Sequence, residues 1–489
     1  MSNSCTCAVG GMRRGMCQCV YQSLSYGFCA VLSLVQRRLR RGSRVMILLL
    51  LLNVVSLQAQ ALLDSASLAK QPTFYTLKEA LKQPEKVYKL NLSFKKLTVL
   101  PPEIGVLRNL QMLDVSNNQL SALPTEISTL PNLQTLILNN NQLTSLPLHI
   151  DNCVYLQTLN AGYNRIRELP PDIGKLHNIN VLKLHYNQIT ALPQSIGSFP
   201  NLTVLDLSGN RLGALPNEIG NLLTLQSLNL SYNQLTMLPP EMGNLANLVS
   251  LHIVNNRLSS LPHTIGKLSK LEVLDLTNNR LSTLPEEIHG WQRLVKLELS
   301  SNKLKSVPPA VGFLPNLQVL VLSYNQLTVL PTELSNLSAL KTLALSSNQL
   351  TVFPDALTRL SALVHLDLNN NKLKSLPDEI GLLTNLQDLN MSDNLLSSVN
   401  TALGKLTELR ILVLAGNQLT NVPEELGNLD NLKLLLLNRN QLTQLPQELQ
   451  KLSQLQTLEL SYNKFPSKER ERILSLFPNL LSQDFLDNR

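Results

Sequence analysis

One string of residues recurs every 23 positions and dictates what this chain can fold into. The copy at Leu202 to Leu222, LTVLDLSGNRLGALPNEIGNL, places apolar residues at Leu202, Leu205, Leu207, Leu212, Leu215, Ile219 and Leu222, with Asn210 and Pro216 among them. The first place of the string runs from Val87 to Leu455 without insertion or deletion, which makes seventeen units in register, the last truncated. A period of this size marks a solenoid, in which each unit packs only on its neighbours and no single large core is needed. The three or so globular domains that 489 residues would otherwise suggest are excluded.

Each unit reads the same way. Leucines at spacings of three and two, as in Leu110, Leu113 and Val115, predict a short half-buried strand with side chains pointing in and out by turns. Asn fills the ninth place of all sixteen units from Asn118 to Asn463. Where the chain leaves a strand beside a leucine core, backbone N–H and C=O groups are buried without partners; an amide that both donates and accepts satisfies them, and stacked rungs make a ladder. Lys95 replaces Asn in the opening unit, which has no rung before it to serve. The Leu-Pro pair (Leu123-Pro124 through Leu445-Pro446) starts the outer arc, because proline lacks an N–H and disfavours helix in the residue before it. Ile219-Gly220-Asn221-Leu222 then turns back inward through a short helical or 3₁₀ segment.

These residues resemble the leucine-rich repeat family, in its 23-residue Leu-Pro class found in bacterial, Ras-group and Scribble-type proteins. The resemblance covers residues 87–465 and implies an α/β solenoid. Its form would be a right-handed horseshoe with a concave parallel sheet and short helical or 3₁₀ convex segments. Sixteen steps at a strand spacing of about 4.8 Å span roughly 77 Å.

The ends differ from the repeats. Residues 1–61 read as a leader: Arg37 to Arg44 is basic, Val45 to Leu57 is apolar, and Ala59-Gln60-Ala61 supplies a cleavage site. The apolar run is shorter than the roughly 20 residues a bilayer requires, so a cleaved signal peptide fits better than an anchor. The long stretch ahead of it is explained most simply by a mis-assigned start. Residues 62–86 form an N-terminal cap, where Thr76-Leu77-Lys78-Glu79 is a capping box opening a helix that Pro84 stops. Residues 466–489 form a C-terminal cap and tail, with Ser467 as the expected N-cap of a helix that lays Ile473, Leu474 and Phe477 on the last rung.

Charge and cysteines narrow the function. The formal charge of +8 includes seven arginines from the leader, which holds no acid; the remainder carries 35 basic and 34 acidic residues. Nucleic acid binding, which needs a basic stripe, is disfavoured on that balance. Five of six cysteines lie in the leader, and Cys153 takes a place filled by Leu in most units, as a small buried hydrophobe does. No phosphate loop, metalloprotease motif or nucleophile elbow occurs, and no catalytic, cofactor or metal site is expected. His185 and His252 lie three rungs apart, roughly 14 Å, too far to share a metal. Asp275 and Glu298, on adjacent strands, read as a solvated acidic face.

The free strand positions are where recognition can reside. Two patches stand out as candidate ligand contacts on the concave face. The first holds Tyr163, Lys183, His185, Tyr186, Asp206, Asn229, Tyr232 and His252, with Tyr163 and Tyr186 close enough to stack, although Tyr recurs before the Asn at Tyr324 and Tyr462. The second is apolar with a basic rim: Arg410, Ile411, Val413, Lys433, Leu434, Leu436 and Arg439, with Val413 and Leu436 expected to be exposed. The expected function is a non-catalytic, monomeric module for a protein or peptide ligand, secreted, periplasmic or at the cell surface. The alternatives are an adhesive surface protein or, if the leader is an artefact, a cytoplasmic scaffold contacting a small GTPase, as the Ras-group resemblance implies.

Overall fold

The computed structural model describes residues 62–478 and 480. The chain divides into two units at Asp64, and the second, from Ser65 onward, holds the repeats. The leader and signal peptide expected in residues 1–61 lie outside the described residues. Seventeen three-residue strands, from β2 (Lys89–Asn91) to β18 (Thr457–Glu459), follow one another at the period of the sequence, one per unit. Each pairs in parallel with the next, in strict register and in chain order. The middle residue of every strand is buried, so outer residues alternate to the open face. The leucines of all units merge into one continuous core.

The asparagine ladder works across rungs. In all sixteen cases Nδ2 donates to the carbonyl 26 residues back, one rung earlier, at 2.7–3.0 Å. Oδ1 accepts the N–H of the residue 21 back, as Asn210 does from Ile189 and Asn440 from Leu419. Lys95 needs no such amide because the Asn118 side chain already serves its rung, accepting from Lys95 and Leu97. Replacing one of these amides by a methyl group orphans buried backbone groups in two units at once.

After the strand, the eighth place of each unit adopts a left-handed conformation, with φ from 51° at Tyr186 to 66° at Gly416. The proline then sits extended, as Pro216 does at φ −70° and ψ 151°, and opens a 3₁₀ segment, Asn217–Asn221. Gly220 shows why that segment contains glycine: a Cβ there would lie 2.3 Å from the Glu241 carbonyl of the next turn. Close stacking of the outer arcs, rather than turn geometry, requires it.

The first rung is covered by α1 (Ser65–Ala69), β1 (Thr73–Phe74) and α2 (Leu77–Ala80). The Thr76 hydroxyl accepts from the Glu79 N–H as the capping box predicts. Strand β1, which no periodicity announces, pairs with β2 and extends the sheet to eighteen strands. At the other end α3 (Ser467–Leu476) buries Ile473, and its C-cap residue Phe477 is buried beside it. Its N-cap is Pro466, not Ser467, because the proline holds the extended conformation that precedes the first helical residue. Cys153 is fully buried, its Sγ 3.3 Å from the Ile127 carbonyl, and burial first, then the charge of Asp151, pushes the thiol up to about 12.

Candidate functional site

The strand face carries two patches, and the first is an assembled cluster. Tyr163 and Tyr186 occupy the left-handed eighth place of adjacent units. The rings stack at 4.6 Å between centroids and 10° between planes. His185 meets Tyr163 edge-on at 5.2 Å, and its Nδ1 lies 3.4 Å from Asp206 Oδ2. Glycines in neighbouring rungs leave the room. A Cβ at Gly162 would lie 2.4 Å from the His185 ring, and one at Gly209 would lie 2.7 Å from Tyr186. Tyr163 and Tyr186 remain 48% and 45% exposed, so the cluster is preformed and open.

The other first-patch residues are placed differently. Lys183, Asp206, Asn229 and His252 run across four strands in register, all half-buried. Asp206 and Asn229 hold the strand exit, where Oδ1 of each accepts the N–H two residues on, from Ser208 at 3.0 Å and from Ser231 at 3.1 Å. Asp275 does the same for Thr277, and Glu298 pairs with Lys296 at 2.8 Å. The strand carboxylates therefore belong to turns and ion pairs rather than to a freely solvated acidic face. Tyr232 is exposed, but Gly209 stands between it and Tyr186, and it does not join the stack.

The second patch is less exposed than expected. Ile411 opposes Leu434 and Val413 opposes Leu436 across two paired strands. Val413 and Leu436 are half-buried, not exposed, because in-register neighbours cover part of each side chain; only Ile411 counts as exposed, at 36%. Arg410 and Lys433 are exposed at its border. Arg439 is not a free cation, since its Nη1 lies 3.3 Å from Asp393 Oδ1 two rungs away. Beyond both patches, His365 Nδ1 contacts Asp388 Oδ2 at 2.5 Å on neighbouring strands, a pair that reading units one at a time does not reveal. Among the described residues, no group of three or more His, Cys, Asp or Glu is placed to hold a metal ion, and no helix is long and apolar enough to cross a membrane.

Family models agree with the repeat. A leucine-rich repeat region model matches residues 199–279 and 309–417, and a leucine rich repeat model matches 85–143, 154–212 and 407–465. Among solved structures, a leucine-rich repeat protein of Leptospira interrogans is 39% identical, covering 84% of this chain and 99% of its own length, at a TM-score of 0.72. The ectodomain of a membrane receptor kinase of Arabidopsis thaliana, solved in complex with Casparian strip integrity factor 2, is 31% identical over 78% of this chain and 54% of its own, at a TM-score of 0.56. YopM from Yersinia enterocolitica is 26% identical over 81% of this chain and 82% of its own, at a TM-score of 0.60. No curated protein matches the chain.

Proposed function

This chain belongs to the leucine-rich repeat family, and from that premise we propose that it is a non-catalytic module whose strand face takes a protein or peptide ligand. Leucine-rich repeat proteins, receptor ectodomains and effectors among them, are protein-binding modules. The observation that carries the reading here is the Tyr163–Tyr186–His185 cluster. It is ordered by its neighbours, open to solvent, and absent from the leucine and asparagine framework that joins the rungs. Tyrosines so held lose little freedom on contact, which is what makes them effective interface anchors.

The aliphatic pair of strands at Ile411 to Val413 and Leu434 to Leu436 supplies a second contact area on the same face, bordered by Arg410, Lys433 and the Arg439–Asp393 pair. The basic and apolar pattern of the leader supports a place outside the cytoplasm, as a monomer meeting its ligand there. N-terminal sequencing of the natural protein tests the location, with Leu62 the expected first residue. Affinity capture with the full chain tests the function: a saturable partner is expected, reduced by Tyr186→Ala or Leu436→Glu. Capture that neither substitution affects would remove the strand face from the reading.

A further inference from the structure

We propose that the ridge where the strands of the fourth to tenth units turn outward binds an extended acidic segment of a protein ligand; this deepens the ligand-binding reading above and rests on it. The tenth place of each unit, directly after the ladder asparagine, lies at the exposed rim of the strand face. It is filled there by Arg165, Gln188, Arg211, Gln234, Arg257, Arg280 and Lys303. The five cations are all exposed, and among the described residues none makes a side-chain hydrogen bond or an ion pair. Arg167 and Lys305 add two more beside them, against a single acid, Glu168, along the whole ridge from the eighth to the thirteenth place of these units.

The outer arcs do not share this excess. Acids open the outer 3₁₀ turns of the same region, as Glu218, Glu241, Glu286 and Glu287 do, where turn N-termini favour them. Lys175, Lys267, Lys270 and Arg293 nearly offset these acids, so the outer arcs are close to balance and the unopposed cations of the region lie on the rim. Unpaired cations in single file raise the local potential and steer an oppositely charged chain.

Spacing and chemistry favour an acidic peptide over other polyanions. Arg165, Arg211 and Arg257 stand two rungs apart, about 9.6 Å, which an extended chain covers in about three residues. Arginine's planar fork matches a carboxylate in two-point contact, and the intervening Gln188 and Gln234 offer amides to a peptide backbone. The stacked tyrosines lie beside the N-terminal end of the row and supply an anchor for an apolar or aromatic residue flanking the acids.

The test uses the full chain and a fluorescein-labelled peptide of alternating Glu and Ser, with a Lys and Ser peptide of equal length as control, read by anisotropy. Binding of the acidic peptide alone is expected, falling as salt shortens the screening length below about 10 Å. Reversing Arg211→Glu, Arg257→Glu and Arg280→Glu together should weaken it by about tenfold or more, with the milder Gln triple moving in the same direction. Lys464→Glu, off the ridge, should leave it unchanged. Equal binding of the two peptides, an unaffected triple variant whose circular dichroism is native, or tighter binding of single-stranded DNA through the same arginines overturns the proposal. Capture of a partner that survives the triple reversal but is lost in Tyr186→Ala would overturn it too, while leaving the proposed function standing.

Discussion

The aromatic cluster of the fourth to sixth units and the aliphatic patch of the fifteenth and sixteenth stand on the same scaffold, yet they are held in different ways. The tyrosines and His185 touch across rungs through side chains, and His185 and Tyr186 each lean into space that a glycine next door leaves empty. Ile411, Val413, Leu434 and Leu436 meet in strand register and lose exposure to one another. A glycine at the eighth place occurs beside both. Gly209 admits the Tyr186 ring, and Gly416 admits the Asp393 carboxylate, which Arg439 then reaches from the far side. In a solenoid, what a side chain does at a free position depends on what the neighbouring unit omits.

The largest effect tests whether the scaffold beneath the two regions is the same. Asn187→Ala orphans the Ala161 and Leu184 carbonyls and the Ile166 N–H, and Asn417→Ala orphans the Met391 and Leu414 carbonyls and the Leu396 N–H. Each should lower stability by about 3 kcal/mol in urea unfolding. A clear difference between them would mean that the patches, not the ladder, set local stability.

The next pair of variants separates the two modes of holding. Replacing Leu434 and Leu436 by Ala removes half-buried aliphatic surface and should cost about 2 kcal/mol. Replacing Tyr163 and Tyr186 by Ala removes one exposed ring pair and should cost about 1 kcal/mol. The reverse order would show that the tyrosines brace the rungs and are not reserved for a ligand.

How much of this was legible follows the same division. Leu205, Asn210 and Pro216 announce their roles because each serves its own unit or an identical neighbour, so the period alone places strand, ladder and arc. The Tyr163–Tyr186 stack was visible as two tyrosines at one place in adjacent units. Its dependence on Gly162 and Gly209 was not, since those glycines look like ordinary variation until the rings are seen above them. Asp206 and Asn229 read as ligand contacts, although a short Asx-type bond to the residue two along was available to both. The row from Arg165 to Lys303 was concealed by summing charge over the whole chain, which hides a local excess of cations on one rim. Strand β1 and the Pro466 cap lie where the period has ended, and no pattern remained to place them.

A smaller, spectroscopic effect sharpens the role of the eighth place. Gly209→Ala and Gly416→Ala adopt a φ that Ser301 and Ser347 already accept in the same place of other units, so the neighbours decide the outcome. Gly209→Ala should displace Tyr186 and reduce the near-ultraviolet circular dichroism of the stacked rings. Gly416→Ala should push Asp393 off Arg439 and leave that signal unchanged. Equal spectra in both variants would mean that the ring stack does not need the gap.

The two regions also differ in their distance from an end, and acid should reveal it. On the C-terminal cap Glu469 Oε1 accepts from the Leu445 N–H at 3.1 Å, and Arg472 donates both to Glu469 and to the Leu445 carbonyl. The pair thus closes onto backbone that has no further repeat to meet. The Arg472 hydrogen bond, opposed by burial and aided by the Leu445 N–H, holds the Glu469 carboxyl below its ordinary 4.5. A depressed carboxylate contributes its stabilisation above the unfolded value, and that contribution is lost as the pH falls through the lower folded value. Below about pH 4.5 the cap should therefore loosen first. Amide exchange should then rise at Leu445 and along the strands of the second patch while Leu182 and Leu205, under the tyrosines, stay protected. Glu469→Gln should give the same fraying at neutral pH and remove the acid dependence. Exchange that rises evenly along all the rungs would show that the solenoid opens as one unit and that its two recognition regions share a single stability.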